Sequence, residues 1–179
     1  MRLTSRLWIV SLLLLLGAPP LSAQSLVGKY HGTALIGDTS GLVIPEEFVQ
    51  SVDLAMTIER TQEGAWAGTV SFRRPVRNPN TGRTEEAQGP LVYLTVDDAG
   101  EFVAQSAPIR FTLDERTAER TVYITGRFVR GEGQCIPTIE AEYYETIRGL
   151  AFRPLALSGP LSMARTQATA ADTPCLTGS

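Results

Sequence analysis

The chain has 179 residues, of which 43% are hydrophobic and 20% are charged, and its formal net charge is −3. This mildly acidic chain has no basic stripe, so it lacks the charge needed to bind nucleic acid or an anionic membrane surface. Its length suits one domain with a substantial hydrophobic core.

The first 23 residues have the layout of a secretory signal peptide. Arg2 and Arg6 form a basic start, the run from Leu7 to Leu16 is apolar apart from one serine, and Ala23 supplies a small residue for cleavage. The apolar run is shorter than the ~20 residues of a membrane-spanning helix, so we expect cleavage and no remaining membrane span. Loss of two basic and no acidic residues then leaves a net charge of −5.

Composition also indicates the compartment. Lys29 is the only lysine among the 16 basic residues, a bias typical of GC-rich bacterial genomes. An exported protein of this kind is expected in the periplasm of a Gram-negative bacterium, or secreted. In an oxidising compartment Cys135 and Cys175 predict a disulfide, which would pin the tail 166–179 and contribute about 4 kcal/mol of stability.

Alternation of apolar and polar residues predicts eight strands. In chain order they are 26–36, 52–60, 65–72, 89–98, 101–113, 120–130, 135–147 and 155–166. One short helix is predicted at 45–49, within a loop at 37–50, and a second long loop is predicted at 73–90.

The predicted fold is all-β, a single eight-stranded antiparallel up-and-down β-barrel over residues 24–165. Closure hides every strand edge, and eight strands leave room for packed side chains or one small ligand. A β-sandwich of the same strands is the alternative. An outer-membrane barrel is disfavoured because charged residues such as Arg60 and Glu142 interrupt the strands.

A short phrase recurs in the first and third predicted strands. Tyr30 and Gly32 in "YHGT" are two residues apart, as are Trp66 and Gly68 in "WAGT". Residues two apart share one face of a strand, and glycine permits the sharp coiling of a closing barrel. We interpret both phrases as structural, with a ring packed over bare backbone.

These phrases resemble the calycin barrels, the lipocalins and avidin-like proteins. "SLVGKYHG" is similar to their opening strand, "LAMTIERTQEGAWAGTVSF" to their second hairpin, and "SGPLSMART" to a last strand that carries an arginine, here Arg165. The resemblance implies an eight-stranded barrel with an apolar cavity. The opening aromatic residue is Tyr30 rather than tryptophan, Gly32 replaces a polar ligand contact, and Trp66 is the only tryptophan after signal removal. Biotin binding is therefore not implied.

The leading functional hypothesis is a binding module that holds a small apolar or amphipathic ligand inside the barrel. The expected wall residues are Tyr30, Trp66, Phe72, Phe111 and Tyr143. The alternative is a structural or interaction protein of the cell envelope. Its partner would contact the loop at 73–90 through four guanidinium groups. They belong to Arg73, Arg74, Arg77 and Arg83.

Catalysis is the least favoured class. Glu140 and Glu142 share a strand face, as the two carboxylates of a hydrolase could, but the opposite face is apolar and the carboxylates are expected to face water. His31, the only histidine, is expected outside the barrel, on the face opposite Tyr30. We therefore predict a protein without catalytic residues, metal ligands or cofactor.

Overall fold

The computed structural model describes residues 26–38, 51–113, 115–130 and 136–166. These residues form ten β-strands and contain no α-helix. The strands are β1 (Gly28–Ala34), β2 (Gly37–Asp38), β3 (Val52–Arg60), β4 (Trp66–Arg77), β5 (Thr84–Val96), β6 (Glu101–Ser106), β7 (Ile109–Leu113), β8 (Arg116–Val129), β9 (Thr138–Arg148) and β10 (Leu155–Arg165).

Eight of these strands close into one antiparallel barrel. Their order is β1-β3-β4-β5-β6-β8-β9-β10, and β10 pairs again with β1, from Tyr30↔Arg165 to Ala34↔Leu161. The two shortest strands are additions, since β2 pairs with β10 while β7 pairs with β4 and β8. The predicted eight-stranded up-and-down barrel is confirmed, and the β-sandwich alternative is wrong.

The predicted strand 101–113 is divided by Ala107 and Pro108 into β6 and β7. Both parts pair with β8, but Pro108 has no N–H to offer to the ladder. Beyond the break β7 also pairs with β4, at Arg77↔Thr112. The second part of the predicted strand, β7, therefore lies against the β4–β5 hairpin.

Most of the segment 73–90, predicted as a loop, is strand. β4 continues to Arg77 and β5 starts at Thr84, so only residues 78–83 form the turn. The Asn78 side chain holds this turn, because its Oδ1 accepts a hydrogen bond from the backbone N–H two residues later at 2.8 Å. The loop prediction was wrong because prolines and charged residues hide the alternation of a hairpin that extends beyond the core.

The barrel interior follows the alternation of the strands. On β9, Ile139, Tyr143 and Ile147 are fully buried, whereas Glu140 and Glu142 are exposed. Equivalent positions on the other strands place Phe, Leu, Ile, Val and Met side chains in one continuous core. Burial of this apolar surface is the main driving force for closure.

One end of the barrel, here called the Tyr30 end, is closed where the residues just before β1 contact side chains of β1 and of the last strand, β10. The Tyr30 hydroxyl donates a hydrogen bond to the Leu26 carbonyl at 2.8 Å, and its ring meets Phe128 edge to face at 5.7 Å. Arg165, buried on the last strand, donates to the Val27 carbonyl at 3.2 Å. Leu26 and Val27, which directly precede β1, are thereby fastened across this end.

Gly32 and Gly68 lie where neighbouring strands approach closely. An added Cβ at Gly32 would collide with the carbonyl oxygen of Ser162, and one at Gly68 with that of Thr57. The repeated phrase therefore marks close strand contacts, which is a structural role, although not the expected packing of a ring over each glycine. The space above each glycine is taken by a neighbouring backbone carbonyl rather than by the aromatic ring.

Several predictions fall outside the described residues. They are the signal peptide (1–23), the short helix at 45–49, the Cys135–Cys175 disulfide and all of the tail except Thr166. The backbone N–H of Thr166 donates to the Lys29 carbonyl at 3.0 Å, which continues the pairing of β10 with β1.

Candidate functional site

A pocket of about 380 Å³ opens at the barrel end opposite Tyr30. At this end β4 turns into β5, β7 into β8 and β9 into β10. We call it the mouth pocket, and its lining residues come from β3, β4, β7, β8 and the residue before β3. They are Ser51, Val52, Asp53, Phe72, Arg73, Arg74, Val76, Phe111 and Arg120.

Arg120 forms the floor of the mouth pocket. It occupies an inward position of β8, and only 10% of its side chain is exposed. Its guanidinium lies over the Phe72 ring at 3.7 Å from the centroid and 5.3 Å from that of Phe111. A guanidinium in this position is held by cation–π attraction and by packing at the same time.

Glu145 neutralises this arginine from below. Its Oε2 lies 2.9 Å from Nε of Arg120, and its Oε1 accepts a hydrogen bond from Nη2 at 3.2 Å. The Glu145 side chain is fully buried, so the pair is a two-point ion pair inside the barrel wall. Each charge of the pair offsets the cost of burying the other, so loss of either residue leaves an uncompensated charge in the interior.

Tyr143 lies on the same face of β9 as Glu145. Burial raises its pKa well above the usual tyrosine value, and the negative charge of Glu145 adds to this effect. The phenol therefore keeps its proton at neutral pH, and it does not add a second negative charge to the interior.

The five residues predicted to line a ligand cavity do not form one wall. Phe72 and Phe111 line the mouth pocket, and Tyr143 is buried inside the barrel. Tyr30 closes the other end, and Trp66 lies under the Arg60 guanidinium at 3.9 Å. Strand alternation indicates which face a residue occupies, but the height along the barrel depends on strand register.

Arg120 and Glu145 are the residues that sequence reasoning missed. The sequence does indicate that Glu145 faces inward, because it alternates with Ile139, Tyr143 and Ile147 on the core face of its strand. The expectation that charged strand residues face solvent fails here, because two opposite charges meet across adjacent strands.

The four predicted partner-binding arginines are spread over one hairpin. Arg73 and Arg74 line the mouth pocket, Arg77 ends β4, and Arg83 lies in the turn. No contact of the described residues tests whether they bind a partner, so that role stays a prediction.

Arg73 is fastened on the outer wall. Its Nη1 lies 3.0 Å from Nδ1 of His31, and its Nε is 3.5 Å from a carboxylate oxygen of Glu86. Partial burial lowers the pKa of His31, and the positive charges of Lys29 and Arg73 lower it further, while Glu86 opposes them. A neutral His31 can accept the hydrogen bond from Arg73, as this contact requires.

Glu140 and Glu142 lie on the outer wall, where the sequence places them. Glu140 accepts a hydrogen bond from Nη2 of Arg127 on the neighbouring strand at 3.1 Å, and both side chains are more than half exposed. Exposed pairs of this kind contribute little to stability.

Among the described residues, no group of three or more His, Cys, Asp and Glu residues is arranged to hold a metal ion. No helix within them is long and apolar enough to cross a membrane. Comparison with known proteins finds no matching family model, curated protein or solved structure. The resemblance to calycin barrels therefore stays a prediction.

Proposed function

We propose that this chain is an exported, non-catalytic β-barrel protein that binds a small amphipathic molecule in the mouth pocket. The observation that carries the proposal is the pocket itself. Its volume of about 380 Å³ lies within the range of small-molecule sites, roughly 300–1,000 Å³. Its lining joins aromatic and aliphatic side chains with guanidinium groups at one opening.

The lining suggests how the ligand lies. Phe72, Phe111 and Val76 provide an apolar surface for a hydrocarbon or ring, and burying it supplies the main attraction. Arg74 lies at the rim, where its guanidinium would face a carboxylate or another hydrogen-bond acceptor, and Arg73, which contacts His31 and Glu86 on the outer wall, adds positive charge nearby. The ligand class is therefore an amphiphile with an acceptor at one end.

The ion pair supports a site at the mouth rather than deeper in the barrel. Glu145 neutralises Arg120, so an apolar group can cover the floor without facing an unpaired charge. Below the floor, Tyr143 is fully buried within the core. The ligand site proposed here is thus shallower than the cavity expected from the sequence.

The test is a titration of the 15N-labelled protein with decanoate, decanol and decylamine, followed by two-dimensional NMR. We expect saturable shifts of the backbone amides of Val52, Phe72, Val76 and Phe111. Decanoate should bind more tightly than decanol, and decylamine should bind least, because arginines outnumber the single carboxylate, that of Asp53, in the pocket lining.

Two matched variants distinguish pocket binding from general stickiness. Val76→Trp fills the mouth pocket and should abolish the shifts, whereas Val103→Trp adds the same ring to the outer wall and should leave them unchanged. Val103 is 45% exposed on β6. The proposal fails if no probe binds with a Kd of about 1 mM or lower, which corresponds to about −4 kcal/mol, or if V76W binds as well as the wild type.

A further inference from the structure

Three exposed tyrosines lie in one cross-strand row on the outer wall. The strand register places Tyr93 beside Gln105, Gln105 beside Tyr123 and Tyr123 beside Tyr144. The tyrosines are 51%, 39% and 40% exposed, respectively. The rings of Tyr123 and Tyr144 have centroids 5.9 Å apart and are tilted by 50°. We call these four residues the tyrosine row.

The row spans three strand spacings, or about 14 Å from β5 to β9. Large exposed aromatic side chains are usually scattered singly, so an aligned set marks a contact surface. Each ring has an apolar face and a hydroxyl, and therefore suits a partner that is itself partly apolar and partly hydroxylated.

A groove of about 680 Å³ lies beside the tyrosine row, towards the Tyr30 end. Its floor includes Gly126 and Ala141, and Thr125 and Glu142 line the side next to the row. Thr125 follows Tyr123 by two residues on β8, and Glu142 precedes Tyr144 by two on β9. Residues two apart share a face, so the row and the groove form one continuous surface.

Charge limits which partner this surface fits. The tyrosine row contains no charged residue, and Arg127 in the groove is paired with Glu140 at 3.1 Å. Within the described residues no other basic side chain lines the groove, and Glu101 and Glu142 add negative charge, so a phosphate or an acidic polymer would be repelled. Planar amide and carboxylate groups beside aromatic rings instead complement a neutral ligand rich in hydroxyls.

We propose that the tyrosine row and the adjoining groove bind a short neutral oligosaccharide. The C–H faces of its pyranose rings stack on Tyr123 and Tyr144, and Tyr93 receives a further ring. Gln105 and Glu142 accept hydrogen bonds from sugar hydroxyls, and Thr125 can donate or accept one. This site lies on the outer wall and does not depend on the mouth pocket.

The test is isothermal titration and 15N NMR of the full chain with cellotriose, chitotriose and maltotriose. We expect at least one of the three to shift the amides of Tyr123, Thr125 and Tyr144. Replacing both Tyr123 and Tyr144 by Ala should weaken binding about tenfold, since two stacked rings are lost. The double Phe variant keeps both rings and should bind within about threefold of wild type.

Phe152→Ala is the matched control, because Phe152 is 99% exposed outside the row and its loss should not change sugar binding. The proposal is overturned if none of the three sugars binds, or if the double Ala variant binds one as tightly as wild type. It is also overturned if sedimentation velocity shows a dimer that the double Ala variant abolishes while no sugar binds. The row would then be an interface between two copies of this chain.

Discussion

The ion pair between Arg120 and Glu145 provides the sharpest test of the barrel interior. At the 2.9 Å separation of Nε and Oε2, the two charges attract by about 6 kcal/mol at an effective dielectric constant of about 20. Much of this offsets the cost of burying both charges. Removing one partner is therefore more harmful than removing both.

Glu145→Leu leaves a guanidinium with only 10% of its side chain exposed and no counter-ion. Arg120→Met keeps an unbranched side chain against Phe72 but leaves the buried carboxylate unpaired. Each single substitution should lower the free energy of unfolding by about 3–5 kcal/mol. The double variant restores an interior without unpaired charge, so it should lose less than either single variant.

The assay is urea unfolding at pH 7 followed by far-ultraviolet circular dichroism, with the wild type and all three variants in one double-mutant cycle. Because each single loss is about 3–5 kcal/mol and the double loss is smaller than either, the coupling energy should be at least about 3 kcal/mol. If the losses of the two single variants simply add in the double variant, the charges do not interact and this description of the interior is wrong.

Three further results are expected. Gly32→Ala should destabilise the barrel by about 1–3 kcal/mol, because its Cβ meets the Ser162 carbonyl; Gly37→Ala is the control, since Gly37 on β2 has no positive φ and an added Cβ there comes no closer than 4.0 Å to a neighbouring atom, and an equal loss for both would refute the role of close strand approach. Tyr30→Phe should cost about 1 kcal/mol in urea unfolding through loss of the bond to Leu26; an unchanged midpoint would contradict it. His31 has a lowered pKa in the folded state, so the unfolded chain binds this proton first as the pH falls below 6.5. The contribution of neutral His31 to the free energy of unfolding should be complete above that pH and decrease below it. His31→Gln should therefore reduce the loss of stability between pH 7 and 5. An identical pH profile for the variant would contradict this.

The sequence predicts the fold well because the barrel depends on local signals. Alternation identifies the inward residues of β9, where Ile139 and Tyr143 occupy the core. The count of eight barrel strands also follows from alternation, and closure follows from the need to cover strand edges. Gly32 and Gly68 mark positions where strands approach closely, which is also a local signal.

The candidate site is less predictable because it depends on strand register. Nothing within β8 or β9 alone indicates that Arg120 will meet Glu145, since the pairing of Arg120 with Ile147 is a long-range property. Pro108 interrupts a strand that alternation alone describes as continuous. For the same reason the sequence could not separate Phe72 and Phe111, at the mouth, from Tyr30 at the other end.

The most direct test of the proposed ligand binding is native mass spectrometry of the protein isolated from the cells that produce it. The account predicts a discrete added mass on the wild-type polypeptide, released on unfolding and absent from V76W, whose mouth pocket is filled. Repeated detection of the bare polypeptide, or the same added mass on V76W, would contradict it.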